Sequence, residues 1–239
     1  MSPTLQTILC LIIARGGSKG LPQKNLKDLG GVPLIARPIL YAKESQIPCD
    51  IVVSTDDNEI ATIARHYGAI TPFLRPPILA SDQSTTESVL QHAVIALESL
   101  GYGPYEFCIF LTATDIFRPQ NQIAKGIEFL KSNPKVDSYF IGQKTTKNYW
   151  EKNEDNQWQR VREWMEVYSS RQQRQYLVRE DTGLLCISRA NFWREGRRIG
   201  DSVEIEVLDD SFTSIDIHSQ EDLDLAKSAL KIRGVKDLK

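Results

Sequence analysis

The stretch ILCLIIARGGSKGLPQKN, residues 8–25, joins seven apolar residues to a turn that holds three glycines, one arginine and two lysines. A short apolar run without polar alternation is typical of a strand that is buried on both faces of a parallel sheet. Glycines let the chain turn sharply and let other groups approach its backbone closely. The stretch therefore predicts a buried strand that ends in a cationic turn.

Outward from this stretch, strand-like and helix-like segments alternate. Further strands are predicted at residues 50–54, 107–113, 137–143, 183–188 and 203–208. Helices are predicted after the STDD run at 54–57, at about 86–100, around 123–130 and near the C-terminal end. Buried strands alternating with amphipathic helices indicate an α/β fold, with a mostly parallel sheet and helices on both faces.

One segment, at about residues 145–175, interrupts this alternation. It is polar but contains Tyr149, Trp150, Trp158 and Trp164, which makes it too aromatic for a disordered linker. We interpret residues 1–239 as a single domain in which this insertion packs on another surface, such as that of a second subunit.

Composition limits the classes of function. The formal net charge of −2 argues against broad nucleic-acid binding, which needs a basic field. No apolar run approaches the roughly 18 residues that a membrane span requires, so we expect no membrane association through such a span. The four cysteines are widely spaced and lie mostly in apolar runs, as is typical of reduced thiols in a cytoplasmic protein.

The glycine turn allows several interpretations. It can be a plain connection, since glycines serve turns everywhere. The P-loop and dinucleotide patterns are absent, but GGSKG fits the G-x-S-x-G elbow of serine hydrolases, with Ser18 as nucleophile and His218 and Asp216 as partners. Alternatively, backbone N–H groups of the glycines and the charges of Arg15, Lys19 and Lys24 can hold a triphosphate.

Longer motifs favour the triphosphate interpretation. ARGGSKGLPQKN resembles the signature R-x-G-S-K-x-[hydrophobic]-P-x-K-N of CMP-sialic acid synthetases, the acylneuraminate cytidylyltransferases. The similarity continues in VVSTDDNEIATIARHYGA (52–69), in FLRPPILASDQSTTESVLQHA (73–93) and in SIDIHSQEDLDLAK (214–227). It is strong to about residue 100 and weak through the insertion.

This resemblance implies a Rossmann-like fold of the nucleotide-diphospho-sugar transferase type, usually dimeric. It also implies an enzyme that joins CTP to an acidic nine-carbon 2-keto sugar with the help of Mg²⁺ and releases pyrophosphate. Carried over by motif, the triphosphate would be held by Arg15, Gly16, Gly17, Ser18, Lys19, Lys24 and Asn25. The cytosine would contact Arg75, Ser84 and Thr86. Arg15, Lys19, Lys24 and Asp216 would act in catalysis.

The sequence departs from the family pattern mainly where the sugar is expected. LTATDIFR (111–118) stands for the family's LQPTSPLR, so that Thr112 and Asp115 replace a glutamine and a serine. Thr182 stands where a sugar-contacting asparagine is expected, whereas Arg171 matches an arginine that pairs with the sugar carboxylate. The resemblance therefore implies a different pocket, for a legionaminate, a pseudaminate, another acyl sugar or a phosphosugar.

The metal motif departs as well. The family's Asp-Ile-Asp is here Asp216-Ile217-His218, and residues two apart on a strand point to the same side. Mg²⁺ prefers oxygen ligands, and the imidazole of His218 is a poor substitute for a carboxylate. Three outcomes are open: Asp216 and phosphate oxygens hold the metal alone, His218 shifts the metal preference toward Mn²⁺, or the activity is weakened. Asp115 is a candidate for a compensating carboxylate. A nucleotide-binding protein that has lost catalysis stays open as an alternative.

Overall fold

The computed structural model describes residues 6–168, 170 and 172–234, and a seven-stranded sheet forms its framework. Its strands are β1 Ile8–Ile13, β4 Asp50–Ser54, β5 Phe107–Thr112, β6 Ser138–Thr145, β9 Leu177–Glu180, β10 Cys186–Arg189 and β11 Val203–Leu208. They follow the order β11-β6-β10-β5-β1-β4, and β9 pairs with the later part of β6. Only β9 and β10 run against the other five, so the sheet is mostly parallel, as predicted.

Helices cover both faces of this sheet. They are α1 Ala36–Glu44, α2 Asn58–His66, α3 Thr86–Ser99, α4 Gln122–Ser132, α5 Ala190–Arg194 and α6 Gln220–Ile232. On β1, Cys10 and Ile12 pack with α1, α2 and α4, while Leu9 and Leu11 pack with α3 and α5. Successive side chains of a strand point to opposite faces, so an apolar strand feeds two core layers. This explains why residues 8–14 lack polar alternation.

A third apolar cluster lies beside the glycine turn. Residues of α6 pack there with Leu21, Leu34, Phe117 and Ile217. Leu34 and Ile217 are fully buried, and burial of such side chains contributes about 1.5–3 kcal/mol each. The cluster thereby fixes the turn against the segment that carries Asp216.

The remaining strands form two short ribbons. β2 Asp28–Leu29 pairs with β3 Val32–Pro33, and β7 Trp150–Lys152 pairs with β8 Trp158–Arg160. The second ribbon and a 3-10 turn at Glu163–Glu166 account for most of the regular structure between residues 145 and 175. None of the helices in the described residues is long and apolar enough to cross a membrane.

Candidate active site

The carboxyl ends of three neighbouring strands define one cavity. β1 lies between β4 and β5, and the loops that follow these strands open at the same edge of the sheet. Ligands of open α/β sheets bind at such an edge, where the strand order reverses. The cavity measures about 470 Å³. Of the predicted site residues, it is lined by Arg15, Ser18, Lys19, Lys24, Asn25, Arg75, Ser84, Thr86, Thr112 and His218.

The glycine turn is held between two other segments. The Gly16 N–H donates to an Asp56 carboxylate oxygen at 3.0 Å. A Cβ at Gly20 would lie 2.6 Å from the carbonyl oxygen of His218, so only glycine permits this close approach. Gly17 faces open space. The turn is therefore fixed on both sides. The Gly16 N–H, however, is already bonded to the Asp56 carboxylate and does not point to an open anion site.

The STDD run also caps a helix, as its sequence predicts. The Asp57 side chain accepts hydrogen bonds from the N–H groups of Glu59 and Ile60, at 2.7 and 3.1 Å. Such a cap satisfies two of the unpaired donors at the start of α2.

Arg15 and Lys19 share one carboxylate partner. Arg15 Nη1 lies 2.9 Å from Asp82 Oδ1, and Lys19 pairs with the other oxygen of Asp82. These cations lower the pKa of Asp82, Lys19 having the larger effect. The Lys19 side chain is 82% exposed, and exposed ion pairs of this kind contribute little to stability. Sequence reasoning missed Asp82, although it lies in the quoted stretch 73–93.

Lys24 and Asn25 stabilise the backbone around the turn. Lys24 Nζ donates to the Ile217 carbonyl at 2.9 Å, and Asn25 Nδ2 donates to the Arg15 carbonyl at 3.0 Å. Burial lowers the pKa of Lys24, and the charge of Asp216 partly opposes this shift. A half-buried ammonium is thereby fixed beside the segment that carries Asp216.

The predicted cytosine contacts also line the cavity. Arg75 is 5% exposed and donates through Nε to Ser54 Oγ at 3.1 Å and through Nη2 to the Ser54 carbonyl. Burial lowers the pKa of Arg75 to about 10, which leaves it charged at neutral pH. The Ser84 hydroxyl donates to the Ile78 carbonyl at 2.7 Å, and Thr86 begins α3.

Asp216 lies opposite Asp115. The two residues form an isolated antiparallel bridge, and burial together with the Asp216 charge raises the pKa of Asp115. Asp216 Oδ2 lies 2.7 Å from His218 Nε2, whereas the buried Oδ1 has no hydrogen-bond partner among the described residues. An unsatisfied carboxylate oxygen next to a second carboxylate fits a divalent cation.

The described residues supply only part of the coordination shell of a metal ion. No group of three or more His, Cys, Asp or Glu side chains within the described ranges could hold a metal ion. Mg²⁺ is commonly bound by one or two carboxylates together with substrate phosphates, which agrees with this donor set. The expected metal residues, Asp216 and His218, are adjacent, and the His218 side chain is 70% exposed.

The predicted sugar contacts are separated. Thr112 lines the cavity and donates through Oγ1 to Asp115 Oδ2 at 2.6 Å. Thr182 is 5% exposed, lies between β9 and β10 and donates to Glu180 at 3.4 Å, away from the cavity lining. Arg171 lies outside the described residues.

Arg118 is a further, half-buried cation that sequence reasoning did not assign to a role. It donates to the carbonyl oxygens of Leu184, Thr112 and Gly183 at 2.6 to 2.8 Å. It thereby fixes the segment between β9 and β10 against the end of β5. The signal in the sequence that could have identified it is its position at the end of LTATDIFR (111–118), where the family motif also has an arginine.

The serine-hydrolase interpretation finds no support in this geometry. Within the described residues, no hydrogen bond joins the Ser18 hydroxyl to His218, whose Nε2 contacts Asp216. A nucleophilic serine needs a base within hydrogen-bond reach.

Comparisons with known proteins agree with the triphosphate interpretation. The model of the cytidylyltransferase family matches residues 9–220. A pseudaminic acid cytidylyltransferase from Campylobacter jejuni is 33% identical over 230 residues, which are 94% of this chain and 96% of that one. A CMP-N,N'-diacetyllegionaminic acid synthase from Legionella pneumophila is 38% identical over 124 residues, or 52% of this chain and 53% of that one.

Among solved structures, a CMP:2-keto-3-deoxy-manno-octonic acid synthetase complexed with CTP superposes with a TM-score of 0.67 and 12% identity. The superposition covers 95% of this chain and 100% of that one, and at this identity it shows the fold alone. The expected nucleotide-diphospho-sugar transferase fold is thereby confirmed. On the family match and the full-length relative, the chain belongs to the cytidylyltransferase family of nucleotidyltransferases, as a divergent relative of the CMP-sialic acid synthetases.

Proposed function

We propose that the protein joins CTP to an acidic 2-keto sugar of the nonulosonate class, giving a CMP-sugar and pyrophosphate. The observation that carries this proposal is the cavity in which the cationic glycine turn, buried Arg75 and the Asp216 segment converge. Relatives named for pseudaminic and legionaminic acid support the sugar class.

The triphosphate is proposed to lie along the glycine turn. Arg15 and Lys19 would exchange Asp82 for phosphate oxygens, and Lys24 would approach the transferring group from beside Ile217. Cations that are fixed before charge develops stabilise a transition state without reorganisation. Gly16, Gly17, Ser18 and Asn25 shape the turn, with Asn25 bonded to the Arg15 carbonyl.

The base is proposed to bind between Arg75, Ser84 and Thr86, on the wall made by β4 and the start of α3. The sugar would then lie toward Thr112 and the segment around Thr182, with Arg171 as its carboxylate partner. This arrangement would place the anomeric hydroxyl near the α-phosphorus.

The reaction is a displacement at phosphorus. The hydroxyl oxygen forms the new bond to the α-phosphorus, the bond to the pyrophosphate oxygen breaks, and the hydroxyl proton passes to water. Asp216, with phosphate oxygens, would hold Mg²⁺ or Mn²⁺, which when bound neutralises charge on the phosphates. The residues Arg15, Lys19 and Lys24 orient the triphosphate and neutralise the leaving group.

A homodimer is proposed as the working form. In the insertion, Trp150 and Trp158 are 49% and 65% exposed, and exposed aromatic patches often mark protein contacts. A monomer mass in sedimentation at micromolar concentration would contradict the dimer.

The test is pyrophosphate release from CTP, UTP, ATP and GTP, with Mg²⁺ or Mn²⁺, across pseudaminate, legionaminate, sialate and octulosonate acceptors. We expect release with CTP and one nonulosonate. Asp216→Asn should abolish that release, whereas Asp224→Asn, an exposed carboxylate on α6, should leave it unchanged. CTP binding without release from any pair would favour a nucleotide-binding protein that has lost catalysis.

A further inference from the structure

Asp115 is a carboxylate that the nucleotide and sugar contacts do not explain. It follows β5, and its Oδ2 accepts a 2.6 Å hydrogen bond from Thr112 Oγ1. Its own N–H donates to the same hydroxyl at 3.2 Å. These two bonds fix the side chain at the edge of the sheet, where its backbone pairs with that of Asp216.

The neighbouring segment makes room for this carboxylate. A Cβ at Gly183 would collide with Asp115 Oδ2, so the glycine is what allows the carboxylate to occupy this position. Arg118 holds Gly183 and Leu184 in place through their carbonyl oxygens, at 2.8 and 2.6 Å. The position of Asp115 is therefore determined by the packing of three chain segments.

Among the described residues, neither of the nearby cations, Lys24 and Arg118, donates a hydrogen bond to the Asp115 or Asp216 carboxylate. Lys24 Nζ donates to the Ile217 carbonyl, and Arg118 donates to three carbonyls. Asp216 Oδ1 is buried and lacks a hydrogen-bond partner among the described residues. A divalent cation between the carboxylates would satisfy that oxygen and offset the repulsion.

His218 is less suited to this role. Its side chain is 70% exposed, and Nε2 bonds to Asp216 Oδ2 at 2.7 Å. Imidazole is also a poor ligand for Mg²⁺, which prefers oxygen. The resemblance puts a carboxylate at position 218 and a serine at position 115, so the two positions have exchanged acidic character in this chain.

We propose that Asp115 is the second carboxylate of the divalent-cation site, in place of the residue at position 218. This inference rests on the proposed function in one respect, because the cation is the one that would assist the proposed reaction. Asp115 and Asp216 then supply hard oxygen ligands from two facing segments, and His218 orients Asp216 from outside.

The test is binding of Mn²⁺ alone to the full chain, followed by loss of the free Mn²⁺ electron paramagnetic resonance signal. We expect Asp115→Asn to weaken Mn²⁺ binding at least tenfold, and Gly183→Ala to weaken it while keeping both carboxylates. His218→Ala should change it less than threefold, and Asp224→Asn should not change it. CTP affinity in EDTA, measured by calorimetry, checks that each variant keeps its nucleotide site.

Wild-type Mn²⁺ affinity in both Asp115→Asn and Gly183→Ala would overturn the assignment. So would a loss in His218→Ala as large as that in Asp115→Asn, or no Mn²⁺ uptake by the wild type. Absence of CTP turnover would count against the proposed function alone, because Mn²⁺ binding is read without nucleotide or sugar.

Discussion

The two halves of the cavity are built differently. On the proposed nucleotide side, Lys24, Asn25 and Arg75 are anchored by hydrogen bonds to backbone carbonyls of other segments. On the proposed sugar side, Thr112, which lines the cavity, instead donates to a carboxylate, Asp115, for which Gly183 leaves room. Anchored cations suit the nucleotide, which is the same whichever sugar is bound. The residues around the sugar can vary without disturbing these cations. Substitutions in the first half, and of the proposed cation ligand Asp115, should therefore affect all substrates, whereas those of the proposed sugar contacts should change discrimination among them.

The largest effect is expected from removing an anchored cation. Lys24→Met should lower the rate of pyrophosphate release about a hundredfold for every sugar, because a preorganised charge is lost near the transferring group. The loss should appear mainly in kcat, measured by a coupled pyrophosphate assay at saturating CTP and sugar.

Lys27→Met is the matched control. Lys27 lies on the same segment but does not line the cavity, so its substitution should leave kcat within about twofold. A loss in Lys24→Met confined to one sugar would contradict the division of the cavity into a general half and a discriminating half.

The sequence predicts most of the frame that supports this division. The apolar run at 8–14 identifies β1, because a strand buried on both faces has no polar positions. The STDD run predicts the cap of α2, because its donors and acceptor lie within four residues. Both features depend on residues that are close together in the sequence, so a sequence pattern is sufficient to predict them.

Other features depend on distant segments and gave no local signal. α5 has only five residues, too few to show a helical period, and no strand was expected at β9. The contacts of Asp82 with Arg15 and Lys19 arise only after folding brings two loops together. The space that Gly183 provides for Asp115 cannot be predicted from the sequence either, because the two residues are far apart along the chain.

A smaller effect is expected from restoring the family pattern on the sugar side. The double substitution Thr112→Gln with Thr182→Asn should raise kcat/KM for N-acetylneuraminate, relative to the preferred sugar, about tenfold, since a pocket contact changes discrimination by about 1–3 kcal/mol. Loss of the Thr112 bond to Asp115 should slow turnover of both sugars alike and leave their ratio unaffected. Competition between two sugars, followed by chromatography of the CMP-sugars, measures the ratio.

Each single substitution separates the two positions. Thr182 is buried away from the cavity lining, so Thr182→Asn alone should have less effect than Thr112→Gln alone. A large change in KM for CTP in the double variant, with the sugar ratio unchanged, would show that the halves are not independent.

The smallest effect is expected at Asp82, which links the two loops of the triphosphate side. Asp82→Asn should free Arg15 and Lys19 and lower the Kd for CTP up to about fivefold, because exposed ion pairs are worth about 1 kcal/mol or less. Salt screens exposed charges, so the gain should shrink between low and high ionic strength. Glu128→Gln, the same charge change at an exposed position of α4, is the control. Weaker CTP binding in Asp82→Asn would mean that Asp82 orders the loops for the nucleotide instead of competing with its phosphates.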